Sequence, residues 1–287
     1  MTETKLIGNV SDTARWVAVY RAMETDRPDA IFRDPFARRL AGERGQAIVD
    51  GMPRGRQFAW PMIVRTALMD EIILRCIAQD GIDCVLNLAA GLDARPWRLA
   101  LPPALHWIDV DHPVMIDTKL AELARETPRC QYEGVRLDLA DAPARGQLFD
   151  RVNAASARVL VITEGLLVYL TPAAVTELAR DLHRQPHFKL WLTDLASPGL
   201  IKMMAKTWGP ALTAGNAPFQ FGPAESTGFF APLGWRELEF RSMFDESIRL
   251  KRTMPMAGFW RIIGKLAPRK KQEEFKRFSG TALLSRD

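Results

Sequence analysis

The chain has 287 residues, of which 47% are apolar and 25% charged; these values are typical of a globular protein and argue against a largely disordered one. Its formal net charge of +5 is mildly basic, and no apolar run is long enough to predict a membrane span. Three separated cysteines without a CxxC pair argue against a disulfide framework or zinc site and, with no pattern of a signal peptide, predict a cytoplasmic protein.

Residues 1–80 are predicted to form an N-terminal helical cap. Residues 11–50 have the amphipathic pattern of helices, and a longer helix runs from about Pro61 to Ala78, where apolar residues recur at helical spacing. Arg65 lies near the start of that helix. Its guanidinium could clamp a carboxylate through two parallel hydrogen bonds, although a surface arginine would give the same pattern.

Residues 81–194 alternate between strand and helix patterns and are predicted to form the cofactor-binding core. The predicted strands are Cys84–Leu88, His106–Val110, Gln131–Leu137, Val159–Thr163 and Lys189–Thr193. The predicted helices are Arg95–Leu99, Pro113–Glu126, Pro143–Asn153 and Pro172–His183. The first, fourth and fifth strands are nearly continuous apolar runs, which indicates burial on both faces of a parallel sheet. The pattern predicts an α/β fold with a doubly wound sheet.

The rest of the chain is predicted to belong to the same single domain. Residues 195–233 break the alternation and predict an inserted lid with helices of its own, because a structureless loop of that length is unusual. Residues 234–287 predict strands at Trp235–Phe240 and Thr281–Ser285, the latter a final edge strand, and a basic helix. Its charge is typical of a solvated face, and a nucleic-acid patch is the less favoured interpretation. The basic residues are Arg261, Lys265, Arg269, Lys270, Lys271, Lys276 and Arg277.

Polar residues recur where the predicted strands end. They are Gly91 and Asp93 after the first strand, Asp109 and Asp111 after the second, Asp138 after the third, Glu164 and Tyr169 after the fourth, and Asp194 after the fifth. Ligands of open α/β sheets bind outside these strand ends, so the residues predict a binding site. The turn lacks G-x-G-x-x-G, which argues against a nicotinamide cofactor.

Each acid in this set has a structural alternative. Asp111 or Asp109 could accept both hydroxyls of a ribose, or could cap the next helix. Asp138 could contact an adenine amino group or initiate a turn. Asp93 could pair with a neighbouring arginine at the surface. Glu164 interrupts an apolar run, so it needs a partner if it is buried, and a cationic ligand group would supply one.

The histidines do not predict a metal site, because none of the four pair at metal-ligand spacing on one face. His112 follows the second strand, at the predicted ligand-binding edge. An imidazole can accept a proton near neutral pH, so His112 is a candidate general base.

Four segments together resemble the leucine carboxyl methyltransferase-like family of class I S-adenosylmethionine-dependent methyltransferases, in particular a bacterial branch that includes polyketide O-methyltransferases. They are TARWVAVYRAMETDRPDAIFRDPFARRL (Thr13–Leu40), the helix with Arg65, Thr66 and Asp70, VLNLAAGLDARPWRL with WIDVDHP, and VLVITEGLLVYLTPAAV (Val159–Val175). They occur in the family's order. The resemblance implies a Rossmann-like, mostly parallel seven-stranded sheet and S-adenosyl-L-methionine as the cofactor.

The resemblance also implies roles for individual residues. Those implied to bind the cofactor are Arg65, Ala90, Gly91, Asp93, Asp109, Asp111, Asp138, Leu139 and Glu164. Among them, Arg65 would hold the methionine carboxylate, Asp111 the ribose hydroxyls, and Glu164 the methionine amino group or sulfonium. Tyr169 would face the reaction cleft, and Tyr169 and His112 are the two catalytic candidates.

The expected acceptor pocket lies between the N-terminal helices and the lid. Its large apolar residues suit a flat or greasy acceptor, although ordinary lid packing would use the same residues. They are Trp60, Met203, Met204, Trp208, Phe219, Phe221, Phe229 and Phe230.

One departure from the family concerns the branch that methylates protein phosphatases, whose N-terminal helix carries a lysine that reaches the cofactor. Thr13-Ala14-Arg15 stands there instead, which leaves open whether Arg15 substitutes. We therefore expect an O-methyltransferase that acts on a small-molecule carboxylate or phenolic hydroxyl, such as a polyketide-type product. A protein C-terminal carboxyl methyltransferase, a non-catalytic cofactor-binding protein and a nicotinamide-dependent oxidoreductase are the alternatives. Neither nucleic acid nor a membrane is an expected partner, and monomer and homodimer both stay open.

Overall fold

The computed structural model describes residues 10–52, 54–214, 218–254 and 268–287, with the single positions 256 and 258. Its strands are β1 Cys84–Leu88, β2 His106–Asp111, β3 Gln131–Arg136, β4 Val159–Thr163, β5 Phe188–Ala196, β6 Trp235–Ser242 and β7 Ser279–Arg286. Within the described residues they form one sheet in the order β3-β2-β1-β4-β5-β7-β6. Strands β1 to β5 pair in parallel, and β7 runs antiparallel to both β5 and β6. The predicted mostly parallel, seven-stranded α/β sheet is confirmed.

Helices flank the sheet and precede it. They are α1 Val10–Thr25, α2 Ala37–Gly51, α3 Ala59–Gln79, α4 Arg95–Arg98, α5 Pro113–Glu122, α6 Ala142–Ala155, α7 Pro172–Arg184, α8 Pro198–Ala214, α9 Met243–Arg249 and α10 Arg269–Lys276. Proline stands in the first turn of α4, α5, α6 and α7, where its missing N–H has no helical partner to lose. No described helix has both the length and the hydrophobicity needed to cross a lipid bilayer.

The sheet is buried on both faces, as the apolar strands predicted. Every residue of β1 and β4 is buried, and strands covered on both sides need apolar side chains along their whole length. One face carries a cluster that includes Trp191 and Trp235, and the other carries a cluster around Trp107. The one polar residue of β1, Asn87, donates hydrogen bonds to two aspartates beside the strand end.

The prediction that Thr281–Ser285 forms an edge strand is wrong. Strand β7 lies between β5 and β6, and its residues from Gly280 to Ser285 are all buried. Small and apolar residues on both faces, rather than alternating ones, are what such an interior position requires. The edge at this end of the sheet is β6, whose sequence WRELEFRS mixes apolar and charged residues and is partly exposed.

The N-terminal helices cover the carboxyl ends of the strands. Trp16 and Tyr20 of α1 pack with Leu40 of α2 in a cluster that also holds Leu92, from the turn after β1. The Cβ of Ala14 lies 3.1 Å from the position that a Cβ of residue 91 would take. Helix α1 therefore forms a wall directly above the sheet edge where ligands bind in this kind of fold.

The predicted lid segment divides into two unlike parts. Strand β5 continues to Ala196, and α8 follows it. Phe221 and Phe230 are instead buried in the main core, where the ring of Phe230 lies 5.1 Å from that of Trp191. The side chain of Trp208 lies outside what the structure describes, as do Arg261 and Lys265.

Candidate functional site

A cavity of about 1390 Å³ lies at the carboxyl ends of β1, β2, β4 and β5. Its walls come from the turns after these strands, from α1 and α3, and from the segment after β5. Pockets for single small molecules are typically about 300–1,000 Å³, so this cavity has room for more than one such ligand. The structure therefore supports the strand-end location that the sequence predicted.

The turn after β1 brings backbone close to the cavity. Ala89 and Gly91 both adopt left-handed conformations, with φ of 53° and 51°. The alanine carries a strain of about 1–3 kcal/mol in that region, whereas glycine adopts it freely. The Ala90 N–H donates to the carbonyl of Val110 at 3.1 Å, which ties the turn to β2. A side chain at position 91 would also crowd Ala14. Glycine is therefore favoured at this position for two reasons, the backbone conformation and the lack of space.

Asp111 lines the cavity at the end of β2 and links two turns. One carboxylate oxygen accepts the Gly91 N–H and the other accepts the His112 N–H, each at 2.7 Å. Its side chain makes no capping hydrogen bond to α5, so the alternative of a helix cap is not found. A carboxylate has about four lone-pair positions, so two remain for ligand hydroxyls.

Asp109 was predicted to lie beside Asp111 at the cofactor, but the structure does not bring it to the cavity. It is fully buried two residues earlier on the same strand face, about 6–7 Å deeper. Its carboxylate accepts hydrogen bonds from Lys119 Nζ at 2.7 Å and Trp107 Nε1 at 2.8 Å. Asp109 therefore neutralises a buried lysine under the site.

Asp138, Leu139 and His112 lie together at one end of the cavity. The Asp138 carboxylate accepts the Ala140 N–H at 2.9 Å, which is the predicted turn, and its exposed second oxygen remains available. Arg145 donates to the carbonyl of Leu139 at 2.6 Å and so fixes this turn. His112 Nε2 lies 4.0 Å from Asp138 Oδ1, and its side chain is 61% exposed.

A continuous network of ion pairs lies beneath the other part of the cavity. We define the ion-pair network as Arg21, Asp34, Asp70, Asp93, Arg95, Arg98, Glu164, Arg65 and Asp194. It links α1, α3 and α4 to the ends of β4 and β5. No side chain in it is more than 21% exposed. Four arginines and five carboxylates give these nine groups a formal charge of −1.

Arg95 is the centre of the network. It donates to Asp70, Asp93 and Glu164, each at 2.7 Å. Burial by itself would raise the pKa of Asp93, but Arg95 and Arg98 lower it to about 2. Burial likewise opposes the charge of Glu164, and Arg95 and Arg65 together hold its pKa below the ordinary value. Both carboxylates are therefore ionised at neutral pH.

The structure supplies protein partners for three residues of the predicted site. Asp93 does pair with Arg95, but the pair is buried rather than at the surface. Glu164 does have a cationic partner, which is supplied by Arg65 at 3.0 Å and Arg95 at 2.7 Å. Arg65 donates through Nε to Glu164 and through Nη1 to Asp194, so its fork is already largely occupied by the protein's own carboxylates.

Tyr169 lies at the apolar part of the cavity. Its ring is 5.4 Å from that of Phe219. Burial raises the pKa of its phenol above the ordinary value, while a hydrogen bond with Thr13 and the charge of Arg65 oppose the change. The phenol is therefore protonated at neutral pH and can donate a hydrogen bond. His112 contacts a different set of residues, so the two predicted catalytic side chains do not form a pair.

Large apolar side chains line most of the apolar part of the cavity. They are Trp16, Phe58, Trp60, Met62, Met203, Met204 and Phe219. Arg15 is not among the lining residues, and its guanidinium lies 3.4 Å from the carbonyl oxygens of Leu40 and Ala41. Its guanidinium is therefore directed towards α2 rather than into the cavity.

Sequence reasoning missed two residues that shape the site and gave a third no role. Asn87 crosslinks Asp93 and Asp109 from within β1. Gly165 follows Glu164 in a left-handed turn, with φ of 65°. Asp194 was noticed as a strand-end acid but given no role. The glycine directly after a strand-end glutamate was the available signal for such a turn.

Comparisons with known proteins agree on one family. A family model described as leucine carboxyl methyltransferase matches residues 14–183. A Streptomyces coelicolor protein assigned as an S-adenosyl-L-methionine-dependent methyltransferase is 32% identical over 78% of this chain and 82% of its own length. A Mycobacteroides abscessus protein with the same assignment is 34% identical, and the match spans 62% of each chain, less than two thirds of that relative.

Two solved structures share the fold at low sequence identity. A DUF574 family protein from Streptomyces avermitilis has a TM-score of 0.59 at 13% identity, over 94% of this chain and 97% of its own. A methyltransferase-type protein from Thermobifida fusca has a TM-score of 0.56 at 12% identity, over 98% of this chain and 96% of its own. At such identities the likeness concerns the arrangement of strands and helices.

Proposed function

Because the chain belongs to the leucine carboxyl methyltransferase family and is an S-adenosylmethionine-dependent methyltransferase, we propose that it methylates an apolar small molecule on an ionised oxygen. The acceptor is a carboxylate or a phenolate, with polyketide-type acids and phenols as the first class to test. The observation that carries this proposal is one continuous cavity, in which a polar, acid-rich part joins an apolar part at Tyr169.

The polar part fits the cofactor. S-adenosylmethionine, when bound, supplies an electrophilic methyl group on a sulfonium. Asp111 has two lone-pair positions for the ribose hydroxyls, and Asp138 with Leu139 would contact the adenine. The tight turn at Ala90 and Gly91 lets a ligand approach the backbone. Asp93 stays beneath this turn and holds it through the Arg95 N–H at 2.9 Å.

Charge balance supports the same placement. The ion-pair network has one carboxylate more than it has arginines, and such an excess is costly in a buried region unless a cation approaches. S-adenosylmethionine carries one more positive than negative charge, from its ammonium, sulfonium and carboxylate. Glu164 would face the ammonium or sulfonium, while Arg65 would address the methionine carboxylate with the part of its guanidinium that the protein leaves open.

The apolar part fits a hydrophobic acceptor whose oxygen is already ionised. Tyr169 is a protonated phenol, so it can orient an acceptor oxygen by donating a hydrogen bond but cannot remove a proton. The imidazole of His112 lies with Asp138, at the adenine end. A carboxylate needs no general base, and the apolar walls exclude water from a reaction in which opposite charges neutralise each other.

The test is an acceptor screen that measures formation of S-adenosylhomocysteine by the purified protein. We expect turnover with apolar carboxylic acids or acidic phenols, and faster turnover above the pKa of the acceptor. A matched set of peptides with free C-terminal carboxylates serves as the comparison. Turnover confined to those peptides would overturn the assignment of a small-molecule acceptor.

A further inference from the structure

Asp194 lies near the end of β5. Its hydrogen bonds play no part in the roles assigned to residues so far. Its carboxylate lines the cavity with a side chain that is 21% exposed. Oδ1 accepts the backbone N–H of Gly165 at 2.6 Å, and Oδ2 accepts Nη1 of Arg65 at 2.9 Å. One side chain therefore holds both the turn after β4 and the guanidinium from α3.

The guanidinium of Arg65 is fixed by two carboxylates at once. Nε donates to Glu164 at 3.0 Å while Nη1 donates to Asp194. Within the described part of the chain, the remaining nitrogen, Nη2, has no hydrogen bond to the protein. A guanidinium is planar, so two bonded nitrogens fix the direction of the third. Asp194 thus determines where Arg65 can bind a ligand carboxylate.

Gly165 depends on the same carboxylate. Its φ of 65° belongs to the left-handed region, and a Cβ at this position would lie 3.3 Å from Arg65 Nη1 and 3.4 Å from Nη2. The turn therefore packs its bare Cα against the guanidinium. The hydrogen bond from Gly165 N–H to Asp194 keeps the turn, and with it the neighbouring Glu164, in this position.

We propose that Asp194 is a positioning residue that, through Arg65 and Gly165, fixes the subsite for the amino-acid end of the cofactor. The inference rests on the proposed function and adds a residue to the recognition of that one end. Asp194 has no comparable contact with Asp111 or Asp138, which lie at the ends of β2 and β3. It therefore acts on the amino-acid part of the ligand and leaves the adenosine part unaffected.

The experiment compares two ligands that differ in one part. S-adenosylhomocysteine carries the amino-acid group, whereas 5′-methylthioadenosine keeps the adenosine and the sulfur without it. Dissociation constants are measured by isothermal titration for the wild type and Asp194→Asn. We expect the variant to bind S-adenosylhomocysteine about tenfold or more weakly, as is usual when a hydrogen bond to a charged group is lost. Binding of 5′-methylthioadenosine stays unchanged.

Two control variants frame the result. Asp111→Asn removes charge from the ribose contact and weakens both ligands. Glu133→Gln, on β3, weakens the exposed pair with Arg151 of α6 and changes neither affinity. Equal weakening of both ligands by Asp194→Asn would assign Asp194 a general structural role and overturn the proposal, and so would the absence of any weakening.

A second variant keeps the proposal testable if Asp194→Asn fails to fold, as judged by circular dichroism. Arg65→Lys retains the positive charge but cannot donate to two carboxylates from a planar fork. It should show the same selective loss of S-adenosylhomocysteine, and unchanged affinity for that ligand would overturn the proposal. Failure of the wild-type protein to bind either ligand would instead reject the proposed function, whatever the variants do.

Discussion

Replacing Arg95 by methionine tests whether the ion-pair network is an electrostatic unit. Arg95 is 2% exposed and forms ion pairs with Asp70, Asp93 and Glu164 at once. The fall in the pKa of Asp93 from its ordinary value to about 2 corresponds to about 2–3 kcal/mol of stability at neutral pH. Removing one partner of a buried ion pair typically costs about 3–5 kcal/mol, so we expect Arg95→Met to lose at least that much.

The stabilities of the wild type and of Arg95→Met should change with pH in opposite directions. In the wild type, the pKa of Asp93 lies below its unfolded value, so its contribution is present above about pH 4 and is lost as the pH falls towards 2. In Arg95→Met, only Arg98 is left to oppose the effect of burial on Asp93 and only Arg65 to oppose it on Glu164, so we expect both pKa values to rise above the unfolded values. Protonation then favours the folded variant, so its stability should rise as the pH falls from 7 to 5.

The assay is urea unfolding followed by tryptophan fluorescence from pH 5 to pH 8. Arg151→Met, which removes an exposed pair with Glu133, is the matched control and should change stability by less than about 1 kcal/mol. If Arg95→Met loses less than about 1 kcal/mol of unfolding free energy, the buried ion pairs of Arg95 contribute no more than exposed ones, and the electrostatic explanation is refuted. A variant that becomes less stable between pH 7 and pH 5 would refute it as well.

Three further predictions concern the cavity. Gly165→Ala should lower the melting temperature and weaken S-adenosylhomocysteine binding, because a left-handed alanine costs about 1–3 kcal/mol and its Cβ would crowd Arg65. The control Gly146→Ala lies at an open helical position and should change neither the melting temperature nor the binding. In steady-state assays, His112→Ala should leave kcat close to the wild-type value. Tyr169→Phe should lower kcat/KM for the acceptor about tenfold, because a hydrogen bond to the ligand is lost. A larger effect of His112→Ala than of Tyr169→Phe would contradict these roles. Arg15→Ala should not change the dissociation constant of S-adenosylhomocysteine, and a loss of affinity would give Arg15 the cofactor contact that the structure denies it.

The sequence predicted individual strands whose burial leaves a pattern in neighbouring residues. The continuous apolar runs of β1 and β4 gave both strands at their observed limits, since burial on both faces leaves no other pattern. The position of β7 between β5 and β6 was not accessible in this way. Strand order depends on antiparallel pairings between residues about 90 positions apart, such as Leu190 with Ser285, and neither sequence alone encodes its partner.

The same distinction holds for the site. Gly91 and Asp111 were recognised because a glycine turn and an acid at a strand end are local patterns, and both line the cavity. Asp109 has the same local pattern, but its burial with Lys119 depends on how α5 packs. The pairing of Arg65 with Asp194 joins α3 to the end of β5, and only the folded chain brings them within 2.9 Å.

The proposed function requires that one cavity holds S-adenosylmethionine at the strand ends, with its ribose at Asp111. Isothermal titration of S-adenosylhomocysteine into the wild type and Asp111→Ala tests this most directly. We expect saturable binding of one molecule per chain in the wild type and a loss of affinity of about tenfold or more in the variant, since hydrogen bonds to a carboxylate are lost. No binding to the wild type, or equal affinity for both proteins, would contradict it.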